Sequence, residues 1–263
     1  SGEKDVYKIT TWNNTHIYCT ENHSFMTTEG EAVLAKGLVG KRIMPYYKIN
    51  DEISEYTKLG FIQGDGCLGR LNSDSHLGME INFGKDDDDI REIFGIKDEG
   101  SKPYVSGFNE LLKALKFSSK PLPERELPLS FTEWSQNEKL MFFKGMFSAN
   151  GSVVENTRVS YKSTCKKLTQ QIVDFLSSIG IKCYVTTNKE KAVTFSNGQY
   201  ICKESYDINI SQFESIKIFA EKIGFVHTCK TEKLENLILT KAPKVRNIKF
   251  EETCKVYDFN LQD

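Results

Sequence analysis

One short pattern occurs twice, 85 residues apart, and its polar members are of a type that binds divalent cations. The first copy is Gly60-Phe61-Ile62-Gln63-Gly64-Asp65-Gly66, and the second is Gly145-Met146-Phe147-Ser148-Ala149-Asn150-Gly151. In each, a short side chain with a hard oxygen, the Asp65 carboxylate or the Asn150 amide, precedes a glycine at which the chain should leave a helix. Small residues four apart, Gly60/Gly64 and Gly145/Ala149, share a helix face and let two helix backbones approach closely. Two such helices side by side would bring Asp65 and Asn150 together at their ends, as a near-twofold metal site. An acid at a helix C-terminus opposes the dipole; a cation would explain Asp65 there.

The elements that must hold these residues read as two αββ-rich halves. Ile53, Tyr56, Leu59 and Ile62 share one face of a helix over 52–64. Residues 67–83 alternate as a hairpin with a polar turn at 72–75, and helices follow near 87–94 and at 108–115. The Asp86–Asp89 run should open its helix, where carboxylates favour the dipole. Pro121, Pro123 and Pro128 mark a stiff connection to the second motif helix, about 136–149. Then come a strand over 152–161, a helix over 168–179, and strands near 182–188, 192–196 and 200–210 with Asn197-Gly198 as a turn. Helices at 213–223 and about 230–239 close the half. Residues 5–49 read instead as short strands joined by polar turns.

Composition excludes some classes. With 39% hydrophobic and 27% charged residues, the chain suits a globular protein, and no apolar run reaches the ~18–20 residues that span a bilayer. No signal-peptide pattern opens it, so the expectation is an intracellular protein that is neither secreted nor membrane-bound. The seven cysteines form no Cys-x-x-Cys pair and read as reduced thiols rather than a zinc site. The net charge is −1, yet residues 151–250 carry 16 Lys and Arg against 9 Asp and Glu, as a phosphate-facing surface would.

The two motifs, KLGFIQGDG and FKGMFSANG, resemble the paired motifs of LAGLIDADG homing endonucleases. The resemblance implies an α+β fold: a pseudo-symmetric monomer of αββαββα-like halves whose antiparallel sheets form a saddle over double-stranded DNA. It implies metal ligation by Asp65 and Asn150, with the backbone carbonyls of Gly64 and Ala149, and Mg2+ as cofactor, Mn2+ or Ca2+ being alternatives. The second motif departs from the family, which has an acid where Asn150 stands. An amide brings no charge, so cleavage should be abolished or reduced to nicking, whether the asparagine is engineered or natural. The resemblance also implies a basic residue from each half near the scissile phosphate. Lys230 fits in the second half, with Lys233 behind it. In the first half Lys120 is slightly favoured over Arg125. The Asp86–Asp89 helix should face away from DNA. The DNA-facing candidates are Arg70, Asn72, Ser75, His76, Asn82 and Lys85 on the first side. On the second they are Asn156, Arg158, Tyr161, Lys162, Thr186, Asn188, Lys189 and Lys191, with Lys244 and Arg246 in a further basic tract.

A second resemblance lies at the ends. Tyr18 to Gly30, containing Thr20 and His23, is similar to the second conserved block of intein splicing domains, where a Thr-x-x-His pair assists the first acyl shift. Cys254 to Leu261 resembles the strand before an intein's C-terminal junction. The junction residues of splicing are not found, so splicing itself is not expected of this chain. The expected organisation is a partial, all-β Hint-type domain from 1–50 and 244–263 flanking an endonuclease domain at 51–243, with halves at about 51–130 and 131–243. The function so implied is an intein-type homing endonuclease with impaired cleavage. The alternative is a DNA-binding regulator or RNA maturase on the same fold.

Overall fold

The computed structural model describes residues 2–68, 79–81, 87–96, 124–195 and 198–257. The chain divides into two compact units, one of residues 1–46 and 238–263, the other of residues 47–237.

In the first unit, β1 (Gly2–Thr11) pairs antiparallel with β2 (His16–Thr20), and a short hairpin follows, β3 (Ser24–Met26) with β4 (Ala32–Leu34). The long last strand, β13 (Val245–Val256), returns along the other edge of β1 and gives the order β13-β1-β2. Ile9, Ala35, Leu38 and Val245 are buried at its centre, with Ile17, Phe25, Val33, Ile43 and Ile248 packed around them.

The second unit is organised on two helices, α1 (Glu55–Asp65) and α3 (Gln136–Asn150). After α1 come β5 (Gly66–Leu68), paired antiparallel with β6 (Met79–Ile81), and the short α2 (Asp88–Ile93). Ser135 starts α3 with a capping box: Glu138 N–H donates to Ser135 Oγ at 3.3 Å, and Ser135 N–H donates to Glu138 Oε2 at 2.6 Å. Beyond α3 run β7 (Gly151–Val154), β8 (Arg158–Ser163), α4 (Lys166–Ser178), β9 (Tyr184–Asn188), β10 (Lys191–Phe195), β11 (Gly198–Cys202) and β12 (Ser205–Ile210). Helices α5 (Phe213–Lys222) and α6 (Thr228–Lys241) follow. Four strands form one antiparallel sheet in the order β7-β8-β12-β9, while β10 and β11 make a separate hairpin.

Two strands expected as single runs are each broken. Glu155 and Asn156 take positive φ, 49° and 51°, and turn the chain between β7 and β8. The expected strand over 200–210 is likewise two, β11 and β12, one in each sheet. The expected helix at 108–115 and the turn at 72–75 lie outside the described residues. No helix among the described residues is long and apolar enough to cross a membrane.

The crossing of α1 and α3 is as close as the small residues allow. A Cβ added at Gly60 would lie 1.8 Å from the Phe142 carbonyl oxygen, and one at Gly145 would lie 1.9 Å from that of Thr57. One turn on, a Cβ at Gly64 would lie 2.4 Å from that of Ala149. The chain leaves α3 at the glycine after the second motif, as expected. Gly151 is extended, with φ −98° and ψ 155°, and is not a left-handed cap. A Cβ there would stand 2.4 Å from the Phe147 carbonyl oxygen, so close approach is what requires glycine. Aromatic rings fill the space around the pair. Phe143 stacks on Phe175 with centroids 4.2 Å apart, and Trp134 meets Phe142 edge-on at 5.1 Å.

Candidate metal and nucleic-acid site

Because α1 and α3 run together to their C-termini, their last residues open onto one cavity of about 220 Å³. Gln63, Gly64, Asp65, Arg125, Asn150 and Tyr161 line it, along with residues 162–164 and Leu168. The carbonyls of a helix's last turn have no intrahelical donors, and Gly64 and Ala149 stand next to last in α1 and α3. Asp65 is solvent-accessible, yet burial by the surrounding protein pushes its carboxyl above the usual range. The negative charge of Asp87 adds to that rise, while Lys230, Arg125 and His227 oppose it. Asn150 hydrogen-bonds the Tyr161 hydroxyl; burial pushes that phenol up, against the smaller effect of Asn150.

The donor set is therefore one carboxylate, one amide and helix-end carbonyls. Among the described residues no group of three or more His, Cys, Asp or Glu is placed to hold a metal. This donor set fits a hard-oxygen cation that takes one or two carboxylates and completes its shell with waters and phosphates.

Two basic groups reach this end of the helix pair. Arg125 is buried, 4% exposed, and donates from Nη1 to the Gln63 carbonyl at 2.7 Å. It lines the cavity from the segment before α3. Lys120 lies outside the described residues. Lys230, in the first turn of α6, donates from Nζ to the Ser148 carbonyl at 2.5 Å. Burial pushes its ammonium down, and Asp87 and Asp65 hold it up.

Strand register decides which of the DNA-facing candidates share a face. Val159, Tyr161 and Ser163 of β8 are buried, so Arg158, Ser160 and Lys162 occupy the opposite face. Ser160 and Lys162 pair across the sheet with Asn209 and Asp207 on β12, which in turn pair with Tyr184 and Thr186 on β9. Arg158 Nε donates to Asn209 Oδ1 at 2.9 Å, Asn209 Nδ2 to Thr186 Oγ1 at 3.2 Å, and Asn188 Nδ2 to Asp207 Oδ2 at 2.8 Å. Arg158, Lys162, Thr186 and Asn188 thus lie on one polar face.

Tyr161 does not join them. It is 1% exposed, with its ring 5.1 Å from that of Phe147. Its place in the alternation of β8, with Val159 and Ser163, turns it inward to line the cavity. Asn156 sits in the β7–β8 turn, and Lys189 and Lys191 are exposed at the β9–β10 connection. Arg70, Asn72, Ser75, His76, Asn82 and Lys85 lie outside the described residues. Lys244 and Arg246 belong to the other unit, where the Arg246 guanidinium lies 5.9 Å from the Trp12 ring centroid. There, too, are Thr20 and His23: His23 N–H donates to the Thr20 carbonyl at 3.1 Å, and its ring meets Phe25 edge-on at 4.7 Å.

The sequence reading missed Asp207 and Asn209, which the alternation Asp207-Ile208-Asn209-Ile210 could have placed on the face of Lys162. It also missed Asp87 and His227. The acidic residues at the start of α2 bond the segment that opens α6, His227 Nε2 lying 2.7 Å from Asp87 Oδ1. No local pattern signals a contact across 140 residues.

Residues 137–224, which include the four-stranded sheet and all of α3 but its first residue, match the family described as a LAGLIDADG-like domain. Over 264 residues the chain is 26% identical to the ATP-dependent DNA helicase Hel308 of Methanocaldococcus jannaschii, an alignment covering 89% of this chain and 21% of the helicase. The chain therefore spans about a fifth of that curated relative. Among solved structures, it is similar to mesophilic variants of the homing endonuclease I-DmoI, at 15% identity over 64% of this chain and 94% of that one, with a TM-score of 0.38. It is similar also to the homing endonuclease I-WcaI bound to its DNA recognition sequence, at 14% identity over 72% and 88%, with a TM-score of 0.43.

Proposed function

We propose that this chain is an intein-type homing endonuclease that binds a long, specific double-stranded DNA site as a monomer, inside the cell. It would hydrolyse phosphodiester bonds with Mg2+, or with Mn2+ in its place. The observation that carries this reading is the convergence of Asp65, Asn150 and Arg125 on one cavity at the end of a glycine-tight helix pair. The helicase alignment supports the intein part. A match that covers nearly all of this chain but a fifth of a larger protein is what an inserted element gives. On this reading residues 1–50 and 244–263 are the Hint-type segments, and Thr20 and His23 belong to their splicing block.

Asp65, the Asn150 amide oxygen and the helix-end carbonyls of Gly64 and Ala149 would hold the cation, which supplies charge stabilisation at the phosphate and a more acidic water. The chain's own groups complete the site. Arg125 and Lys230 place positive charge at either side of the helix ends, where charge develops on the phosphate oxygens. Tyr161 fixes the Asn150 amide through its hydroxyl. The polar face of β8, β9 and β12 presents Arg158, Lys162, Thr186 and Asn188 to base edges in the major groove, which admits a β-ribbon. With an amide at position 150 the site lacks one negative charge, and cleavage is impaired. Selection of bound duplexes from a randomised library tests the reading: one discrete long site is expected, and retention of duplexes without sequence preference counts against it. Asn150 also favours a second reading, a sequence-specific binder of the same fold that never cuts, and restoring an acid there separates the two.

A further inference from the structure

The segment 226–230 is pinned from two sides by residues remote in sequence. Val226 N–H donates to Ser148 Oγ at 2.8 Å, and Lys230 Nζ donates to the Ser148 carbonyl, so both ends hold to the last turn of α3. From the other side come the acids that open α2. Asp87 Oδ1 lies 2.7 Å from Nε2 of His227, a residue only 1% exposed, and Asp89 accepts from Thr228 N–H at 2.7 Å and from its hydroxyl at 3.2 Å. Thr228 opens α6. Asp89 is thus a helix cap delivered from a different element, meeting both a first-turn amide without an intrahelical acceptor and the positive end of the dipole.

We propose that Asp87 and His227, with Asp89 beside them, are positioning residues that hold Lys230 against the end of α3 for its work at the phosphate. The proposal rests on the nuclease reading above. At Lys230 the charge of Asp87 is useful: burial disfavours the ammonium, and Asp87 is the largest single charge that keeps it protonated, ahead of Asp65. Among the described residues the His227 ring bonds toward the start of α2, and its burial next to Phe61, ring centroids 6.5 Å apart, fixes the start of α6 against the first motif helix. The backbone that carries Lys230 is thereby held where its Nζ reaches the Ser148 carbonyl. Displacement of a catalytic group by about 1 Å can cost about a hundredfold in rate.

The test uses the full chain carrying Asn150→Asp and a duplex selected by it. Single-turnover cleavage at saturating protein is compared with duplex affinity for His227→Leu, His227→Gln, Asp87→Ala and Asp89→Ala, with thermal melting to show that each folds. His227→Leu and Asp87→Ala are expected to lower the rate about a hundredfold at unchanged affinity. Asp89→Ala, at an exposed cap, should lower it less, and His227→Gln, which keeps an N–H within reach of Asp87, should restore most of the loss. In a Lys230→Met background none should lower the rate further. Loss of affinity instead of rate, a His227→Gln variant as slow as His227→Leu, or full losses on Lys230→Met would each overturn the proposal. If the Asn150→Asp parent cuts nothing, the nuclease reading fails and the clasp is judged on Lys230 itself. Reductive methylation of its amine, read by mass spectrometry, should then accelerate in Asp87→Ala and His227→Leu, and an unchanged rate overturns the clasp.

Discussion

The helix crossing that builds the site should tolerate no methyl group at its centre. On Gly145 a Cβ would meet the Thr57 carbonyl oxygen at 1.9 Å and the Phe61 nitrogen at 2.6 Å; on Gly60 it would meet the Phe142 oxygen at 1.8 Å and the Met146 nitrogen at 2.9 Å. Relaxed contacts of this kind lie near 3.5 Å, so the backbones must part by about 1.5 Å. The obstructing atoms are backbone, and no rotamer change removes them. Overpacking of this sort costs about 1–3 kcal/mol, and here the upper end applies. Alanine returns about 1 kcal/mol through its better helix propensity. Each single Gly→Ala change should therefore destabilise the second unit by about 2 kcal/mol. The chain has two tryptophans, Trp12 and Trp134, one in each unit. A Trp12→Phe background leaves Trp134, packed on Phe142, to report urea unfolding of the unit in question. Because both glycines serve one crossing, separation forced by the first substitution makes room for the second. The double variant should then lose clearly less than the sum of the singles. A Gly145→Ala protein within about 0.5 kcal/mol of its parent, the range of an ordinary surface change, would refute the close crossing.

Other consequences follow from buried charge and from the polar sheet face. Lys144, 1% exposed within α3, donates to the Asn50 carbonyl at 2.6 Å, and burial pushes its ammonium down to about 8. A base with a depressed folded pKa leaves the unfolded chain holding more protons between about 8 and the ordinary value of 10.5, so its contribution to stability rises with pH across that window. The rise should be about 3 kcal/mol at most and absent from Lys144→Met, measured by urea titrations at either end of the window. Lys162→Ala should weaken binding to all duplexes alike and reduce the salt slope by about one. Arg158→Ala, which frees Asn209, should alter base preference at particular positions in a selection experiment. Asn150→Asp places a second carboxylate beside Asp65, so its stability in a chelator should fall below the parent's and recover as Mg2+ is added; no response to Mg2+ would count against a shared metal site.

The motif helices were legible because their information is local: glycine spacing announced the close approach, and a polar residue before glycine announced the helix ends. The inward turn of Tyr161 was not, since one residue of register separates the buried face of β8 from the open one, and only the pairing with β7 and β12 fixes it. The chain leaves α3 at Gly151 as expected, but the need for glycine there, room beside the Phe147 carbonyl, could not be read from the motif. The acidic run at the start of α2 looked like ordinary dipole compensation. Its partners, His227 and Thr228, stand about 140 residues away and could not be read from either segment alone.

The central claim of the proposal is that Asn150 is what impairs cleavage at this site. The most direct measurement is linearisation, in Mg2+, of a plasmid carrying the selected site, by this chain and by its Asn150→Asp variant at matched occupancy. The account predicts that both bind the site and that only the variant cuts both strands. Binding by both with cleavage by neither would contradict it, leaving a sequence-specific DNA-binding protein on this fold.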